Sequence, residues 1–364
     1  MSRLAPPAFV GGLGSAAAVA AAAGLSTARK SLNRGRELRK IDRNQTENFD
    51  LIGADRSSVV TADDGVHLAV REVGPSDAPV TVVFVHGYCL RMQSWHFQRR
   101  ALERRWGSTV RMVFYDQRGH GASGRPSGHS CTIDQLGADL AGVLRAVVPK
   151  GPIVLVGHSM GGMTVLAYAR RDPETFLERV VGVGLVATAA KGLAEEGLGR
   201  NLENPATNLV RGLVRNVPGV TRIGRGLLRS AVAPILLEAS FGTDQGARLD
   251  RFVAEMISDT SMVTMVDFLP SLELHDESDA LPTVATKEAL VVSPGADWVI
   301  PPSASQFLVD NLPKAELLSI PRAGHMVQLE NPAEVSDAID RLVVRSVQAM
   351  PDAGRRRRWW WTVG

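Results

Sequence analysis

Four stretches of this chain are apolar on nearly every residue in succession: "VTVVFVHG" (80–87), "TVRMVFYD" (109–116), "PIVLVGH" (152–158) and "RVVGVGLVAT" (179–188). A strand with one wet face alternates apolar and polar residues, whereas an unbroken apolar run fits a strand covered on both faces. Helical patterns separate the runs, "QSWHFQRRALERRW" (93–106) and "TIDQLGADLAGVLRAVV" (132–148) among them, the second opening with Thr132 and Gln135 in capping-box spacing. Apolar strands alternating with helices predict an α/β fold, a mostly parallel twisted sheet with helices on both faces. An earlier strand pair, "SSVVTADD" and "VHLAVREVG", is expected to join at Asp64-Gly65.

The rhythm breaks over residues 189–283, which read as helices and loops, and resumes with "EALVVSPG", "SASQFLVDNL", "AELLSIP" and "NPAEVSDAIDRLVVRSVQ". The expected organisation is an apolar and basic lead (1–50), a first core part (51–188), an inserted helical cap (189–283), a second core part (284–350) and an Arg/Trp tail (351–364). Ligands of open α/β sheets bind beyond the carboxyl ends of the strands, so a cap there would wall a pocket. With 364 residues and 45% hydrophobic content, the chain can bury a full core. Cys89 and Cys131, its two cysteines, make no disulfide framework and read as small buried or half-buried side chains.

The net charge of +3 is unevenly placed. Residues 27–43 and the two termini carry the excess, which leaves residues 44–350 at roughly −6. A mildly acidic body argues against a nucleic-acid partner. Residues 4–28 hold no charge and precede seven basic residues, so the lead reads as a membrane-associated segment whose basic side stays cytoplasmic, as an Ala-rich soluble helix or disordered lead, or as a cleaved export signal. The tail "RRRRWWW" couples cations to aromatics that favour a headgroup region. The stretch 208–237 sets five arginines close to one helical face, either a lipid-facing lid or an amphipathic cap helix with a solvated basic face.

Chemistry is expected at "GHSMG" (157–161). Ser159 would sit on a sharp turn between the strand 153–156 and a helix, where Gly157 and Gly161 relieve contacts with neighbouring backbone and leave the hydroxyl above the sheet. The bland alternative is a serine capping a helix after a glycine turn. A nucleophilic serine needs a base, and the base needs an orienting acid. Among eight histidines, His325 follows the last apolar strand and precedes the final helix, so it hangs at the sheet edge that carries Ser159. His158 adjoins the serine but faces the wrong way for a base, and His86 sits in a glycine-rich turn, where both read as site-shaping. Asp297 follows a buried strand directly, either as the acid or as an Asx-turn residue before Pro301. The oxyanion would be met by the backbone N–H of Met160 and by that of Tyr88, in the turn made by His86 and Gly87.

With "FVHGY" (84–88), "YDQRGHGASGRP" (115–126), "VGHSMGG" (156–162), "SPGADWVIPP" (293–302) and "AGHMVQLENP" (323–332), the chain resembles the α/β-hydrolase superfamily over residues 56–348. The D-x-R-G-x-G-x-S loop, Asp116 to Ser123, is similar to that of the branch holding esterases, lipases, carbon–carbon bond hydrolases and cofactor-free haloperoxidases. The resemblance implies acylation of Ser159, leaving-group protonation by His325 and hydrolysis by water, with Arg118 bracing the loops that follow the runs 80–87 and 109–116. Relatives that open epoxides or remove halide from haloalkanes carry aspartate where Ser159 stands. Gly295 lies two residues before the acid, where many relatives place it three before.

The expected substrate is a small-molecule or lipid ester, and no cofactor is implied: no P-loop or H-E-x-x-H occurs, and no G-x-G-x-x-G opens a helix as a dinucleotide fingerprint does. The same three side chains also serve carbon–carbon bond hydrolysis, thioester cleavage or acyl transfer. A binding protein that senses a small molecule in the capped pocket is the reading from another class.

Overall fold

The computed structural model describes residues 46–192 and 240–350. The apolar lead, the basic linker, the arginine stretch 208–237 and the Arg/Trp tail lie outside the described residues. Among the described residues no helix is long and apolar enough to cross a membrane.

Among the described residues eight strands form one sheet: β1 Arg56–Thr61, β2 His67–Val73, β3 Val80–Val85, β4 Val110–Tyr115, β5 Ile153–His158, β6 Val180–Val186, β7 Glu288–Pro294 and β8 Ala315–Ile320. Their order is β1-β2-β4-β3-β5-β6-β7-β8. The pairs β1–β2 and β2–β4 are antiparallel, and every pair from β4 to β8 is parallel. All residues of β3, β4 and β5 are buried, as their unbroken apolar runs require.

Helices cover both faces. On one lie α1 His96–Trp106 and α10 Pro332–Gln348, which set Leu102, Trp106, Ile339 and Leu342 against Val82, Phe84 and Val156. On the other lie α2 Ile133–Val147, α3 Met160–Arg171 and α8 Pro302–Asn311, whose Leu140, Val143, Val165, Leu166 and Leu308 meet Val83, Leu155 and Val291. The Thr132 side chain accepts from the Gln135 N–H and caps α2 as its spacing predicts. The short α4 Pro173–Arg179 leads into β6.

Between β6 and β7, α5 Ala247–Asp259 and α6 Met262–Glu273 lie over the carboxyl ends of the strands. The α5 side chains Leu249, Phe252 and Met256 pack with Leu90, Met326 and Leu329, in the segments that follow β3 and β8 beyond that edge. Phe268 of α6 packs with Met160, Met163 and Ile300. The following α7 Leu281–Val284 instead buries Leu281 and Val284 in the core beneath the sheet. Residues 47–49, which the sequence suggests are the end of a linker, pack onto α1 and α5. Glu47 pairs with His96 at 2.7 Å, and Phe49 stacks on Phe252 with ring centroids 4.1 Å apart.

Candidate active site

Chain order reverses at β3, with β4 on one side and β5 on the other, so a crevice opens beyond the carboxyl ends of β3 and β5. Ser159 follows β5 there and opens α3 with φ 53° and ψ −123°, a left-handed conformation that L side chains rarely hold. A Cβ on Gly157 would overlap the Gly161 carbonyl, and one on Gly161 would overlap the Val85 carbonyl, so both positions demand glycine. The Ser159 N–H donates to Val186 O at 2.9 Å, and the Thr188 hydroxyl donates to Ser159 O at 2.7 Å. The serine hydroxyl makes no hydrogen bond to the helix it begins, which sets aside the capping role. It lies 3.0 Å from His325 Nε2 instead.

His325 sits in the loop between β8 and the one-turn helix α9 Val327–Glu330. Its Nδ1 lies 2.9 Å from Asp297 Oδ2, and both side chains are buried. Asp297 also does what an Asx turn asks: its Oδ1 accepts from the N–H groups of Val299 and Ile300 at 2.8 and 2.9 Å. One carboxylate thus shapes its own loop with one oxygen and faces the imidazole with the other. The loops that carry Asp297 and His325 are tied by Gly295 N to Ile320 O and Ala296 N to Ala323 O, each 2.9 Å. A Cβ on Gly295 would stand 2.6 Å from Pro321 O, so the position of this glycine two residues before the acid follows from that contact. His158 is fully buried and donates through Nε2 to the carbonyl of His325 at 2.9 Å, holding the imidazole loop from beneath.

The loop after β3 presses against the serine. A Cβ on Gly87 would lie 2.8 Å from His158 Nδ1 and 3.1 Å from Ser159 Cβ. His86 donates through Nδ1 to Gly87 O at 2.7 Å and accepts at Nε2 from Gln117 N–H at 2.9 Å, and burial followed by the nearby His120 holds it down at about 3. The Tyr88 hydroxyl donates to Met265 O of α6 at 2.6 Å, linking this loop to the cap. Met160 is the first residue of α3, where a backbone N–H has no acceptor within its own helix.

The loop after β4 differs from the expectation for Arg118. Its guanidinium binds Asp139 of α2 through two bonds of 2.6 Å and Asp64 of the β1–β2 turn at 2.7 Å. It braces the β4 loop against those elements rather than against the β3 loop, because its side chain runs toward the start of the sheet. Asp116 joins the β3 and β4 loops, accepting from Met92 N at 2.7 Å and Ala122 N at 2.8 Å. Gln117 adds to that joint, donating to His86 O at 2.7 Å and accepting from the Thr164 hydroxyl of α3 at 2.7 Å. Sequence reasoning missed Gln117, Thr164 and Thr188. Their hydrogen bonds cross the site between ordinary polar residues, and no spacing announces them. Among the described residues no group of three or more His, Cys, Asp or Glu side chains is arranged to hold a metal ion.

A parallel sheet carrying a serine on a strained strand-to-helix turn, faced by a histidine and an aspartate, defines a class that comparison with known proteins identifies. Residues 82–338 match the Alpha/beta hydrolase family, and the chain belongs to it. It is similar to proline iminopeptidase PfmaB of Pestalotiopsis fici, 27% identical over 277 residues that make up 73% of this chain and 92% of the other. A non-heme chloroperoxidase of Streptomyces lividans is 37% identical over 116 residues, 31% of this chain and 40% of that protein, so the likeness spans less than half of it. Among solved structures, an esterase from Exiguobacterium antarcticum superposes with a TM-score of 0.65 at 20% identity, covering 79% of this chain and 98% of that one, a likeness of fold.

Proposed function

We propose that this protein is a serine hydrolase that cleaves carboxylic esters with lipophilic groups through an acyl-enzyme. The observation that carries the reading is the continuous chain from Ser159 Oγ to His325 Nε2 at 3.0 Å and from His325 Nδ1 to Asp297 Oδ2 at 2.9 Å. Asp297 keeps the proton on Nδ1, so the Nε2 lone pair faces the hydroxyl. As Ser159 Oγ attacks the ester carbonyl carbon, its proton passes to Nε2. The N–H groups of Met160 and Tyr88 receive the charge that gathers on the carbonyl oxygen. His325 then protonates the departing alkoxide. It next takes a proton from water, which attacks the acyl-enzyme and releases the carboxylic acid and free Ser159.

An apolar substrate is supported by the two apolar clusters to which the chain neighbours of Ser159 and His325 belong. Met160, Met163, Phe268 and Ile300 form one apolar cluster with Tyr88 at its margin, and Met265 and Met326 belong to a second that also reaches Tyr88. Flexible methionines and an aromatic ring suit a hydrocarbon chain of variable shape.

A fluorophosphonate probe should label the wild type at Ser159 and leave Ser159→Ala unlabelled. p-Nitrophenyl esters of increasing acyl length should be turned over with kcat/KM rising from acetate toward the longer chains. Turnover that survives Ser159→Ala would overturn the acyl-enzyme, and a preference for acetate over every longer chain would overturn the lipophilic assignment. A protein that binds such esters without turning them over would belong to the sensing class instead.

A further inference from the structure

We propose that Glu330 is a positioning residue that makes the alignment of His325 depend on the seating of residues 240–243, where the chain enters the cap helices. The proposal rests on the reading of His325 as the base. Glu330 closes α9, directly before α10, whose Val335, Ala338 and Ile339 are buried against the sheet, so its carboxylate is held by the core. It accepts from Gly324 N–H at 2.6 Å, and Gly324 immediately precedes His325. The same carboxylate accepts from Gly242 N–H at 3.1 Å, from Thr243 N–H at 3.2 Å and from the Thr243 hydroxyl at 3.1 Å. One anion therefore clamps two segments that are otherwise remote in the chain, through charge-assisted hydrogen bonds.

The segments fit closely. A Cβ on Gly324 would overlap Gly242 N, and one on Gly242 would overlap Arg322 O, so the two backbones lie against each other. On the other side of His325, the Met326 N–H donates to Ser240 O at 2.8 Å. The histidine backbone is thus held at the residue before it by Glu330, at its own carbonyl by His158, and at the residue after it by Ser240. The Ser240 bond and the Gly242–Gly324 packing depend on where residues 240–243 sit, and Glu330 ties those residues to the same peptide that leads into the imidazole. If they lifted, Gly324 and Met326 would lose their fixed partners together, and Nε2 would leave hydrogen-bond reach of Ser159.

The test is Glu330→Gln in the full chain. The substitution keeps size but turns one acceptor oxygen into an NH2 that faces an N–H, so one side of the clamp must open. The readout of geometry is the far-downfield proton resonance of the His325 Nδ1–H···Asp297 hydrogen bond. It should shift or broaden in Glu330→Gln, while the circular dichroism spectrum keeps its native form. On a short soluble ester kcat should fall about tenfold with KM within about twofold, the split expected when a base is misplaced and binding is not. Glu330→Asp should recover part of the loss. A resonance unmoved from wild type, with kcat unchanged, would overturn the proposal. Should Glu330→Gln fail to fold, Thr243→Val removes the exposed hydroxyl that donates to Glu330 and accepts from Gln245 Nε2 at 2.6 Å, and it should move the resonance in the same sense by a smaller amount; no movement there would overturn the proposal equally. The resonance reports the imidazole whether or not esters are cleaved, so a wild type that shows it without turning over esters refutes the ester reading and leaves the clamp to be judged on its own signal.

Discussion

Ser159 turns its hydroxyl away from the helix it opens and toward His325, whose Nε2 lies 3.0 Å away across 166 residues of chain. The orientation comes with backbone strain, since φ at Ser159 is 53°. Replacing the serine by glycine removes the nucleophile and lets the turn relax, whereas alanine removes the nucleophile and keeps the strained Cβ. Ser159→Gly should therefore be more stable than Ser159→Ala by about 1 kcal/mol, the strain relieved less the extra entropy that glycine loses on folding. Urea unfolding of the two inactive variants measures it, and a glycine variant no more stable than the alanine one would show the turn to be relaxed.

The two oxygens of Asp297 separate orientation from loop structure. In Asp297→Asn the amide oxygen can still accept from Val299 and Ile300 N–H, while the NH2 faces His325 Nδ1 and forces the wrong tautomer. The expected kcat is lower by about 10³- to 10⁴-fold. Stability should hardly change. Asp297→Ala should lose comparable activity and a further 1 to 2 kcal/mol or so of stability, because one buried and one half-buried amide then lack their acceptor. Steady-state kinetics with thermal unfolding of both variants checks the separation.

Much of this was legible in the sequence because the demands fall on neighbouring residues. The runs through Val82–Val85 and Ile153–Val156 read as doubly covered strands, and β3 and β5 are buried at every residue. The Gly157–Gly161 turn is legible because the conflict at Gly157 is with the Gly161 carbonyl within the same five residues, whereas the conflict of Gly161 with the Val85 carbonyl is not announced by spacing. Asp297 and His325 were placed by following a strand at the proper edge. What escaped depends on partners far apart that carry no periodicity. Phe49, in the polar stretch "TENFDL", finds Phe252 in a cap helix. Gln117 joins His86 to Thr164 across three elements. The Arg118 partners were misassigned because the loop motif fixes the residue and not the direction of its side chain.

Arg118 supplies a stability prediction. Its side chain is fully buried and pairs with Asp139, itself 1% exposed, while its other partner, Asp64, is 35% exposed and screened by solvent. Arg118→Met leaves the Asp139 carboxylate buried without its cation and should cost about 3 to 5 kcal/mol. The double variant Arg118→Met/Asp139→Leu removes both charges and should recover most of that loss. Urea unfolding of the single and double variants gives the coupling, and strictly additive losses would show that the pair contributes nothing beyond packing.

The acid stability of the fold should depend on His86. Protonating Nε2 would set an N–H against the Gln117 N–H it now accepts from, inside a fully buried site whose titratable neighbours include Asp116, 3.9 Å away, the His120 ring, 5.5 Å away, and the buried His158. Burial keeps His86 at about 3 and His120 at about 4, while both titrate near 6.5 in an unfolded chain. Below pH 6.5 the unfolded chain therefore binds protons that the folded one refuses. Stability falls with pH down to about 3 and 4, each histidine contributing a slope of about 1.4 kcal/mol per pH unit. Asp116, pushed up to about 6 by burial, takes its proton first in the folded state and offsets one of these slopes below that pH. In urea titrations between pH 6.5 and 5, above most carboxylates, His86→Gln should show a slope shallower than wild type by about 0.7 kcal/mol per pH unit at pH 6.5, growing to about 1.4 near pH 5, even where its stability at pH 7 is lower. An identical slope in variant and wild type would mean that His86 takes up its proton in the folded protein as readily as in the unfolded chain.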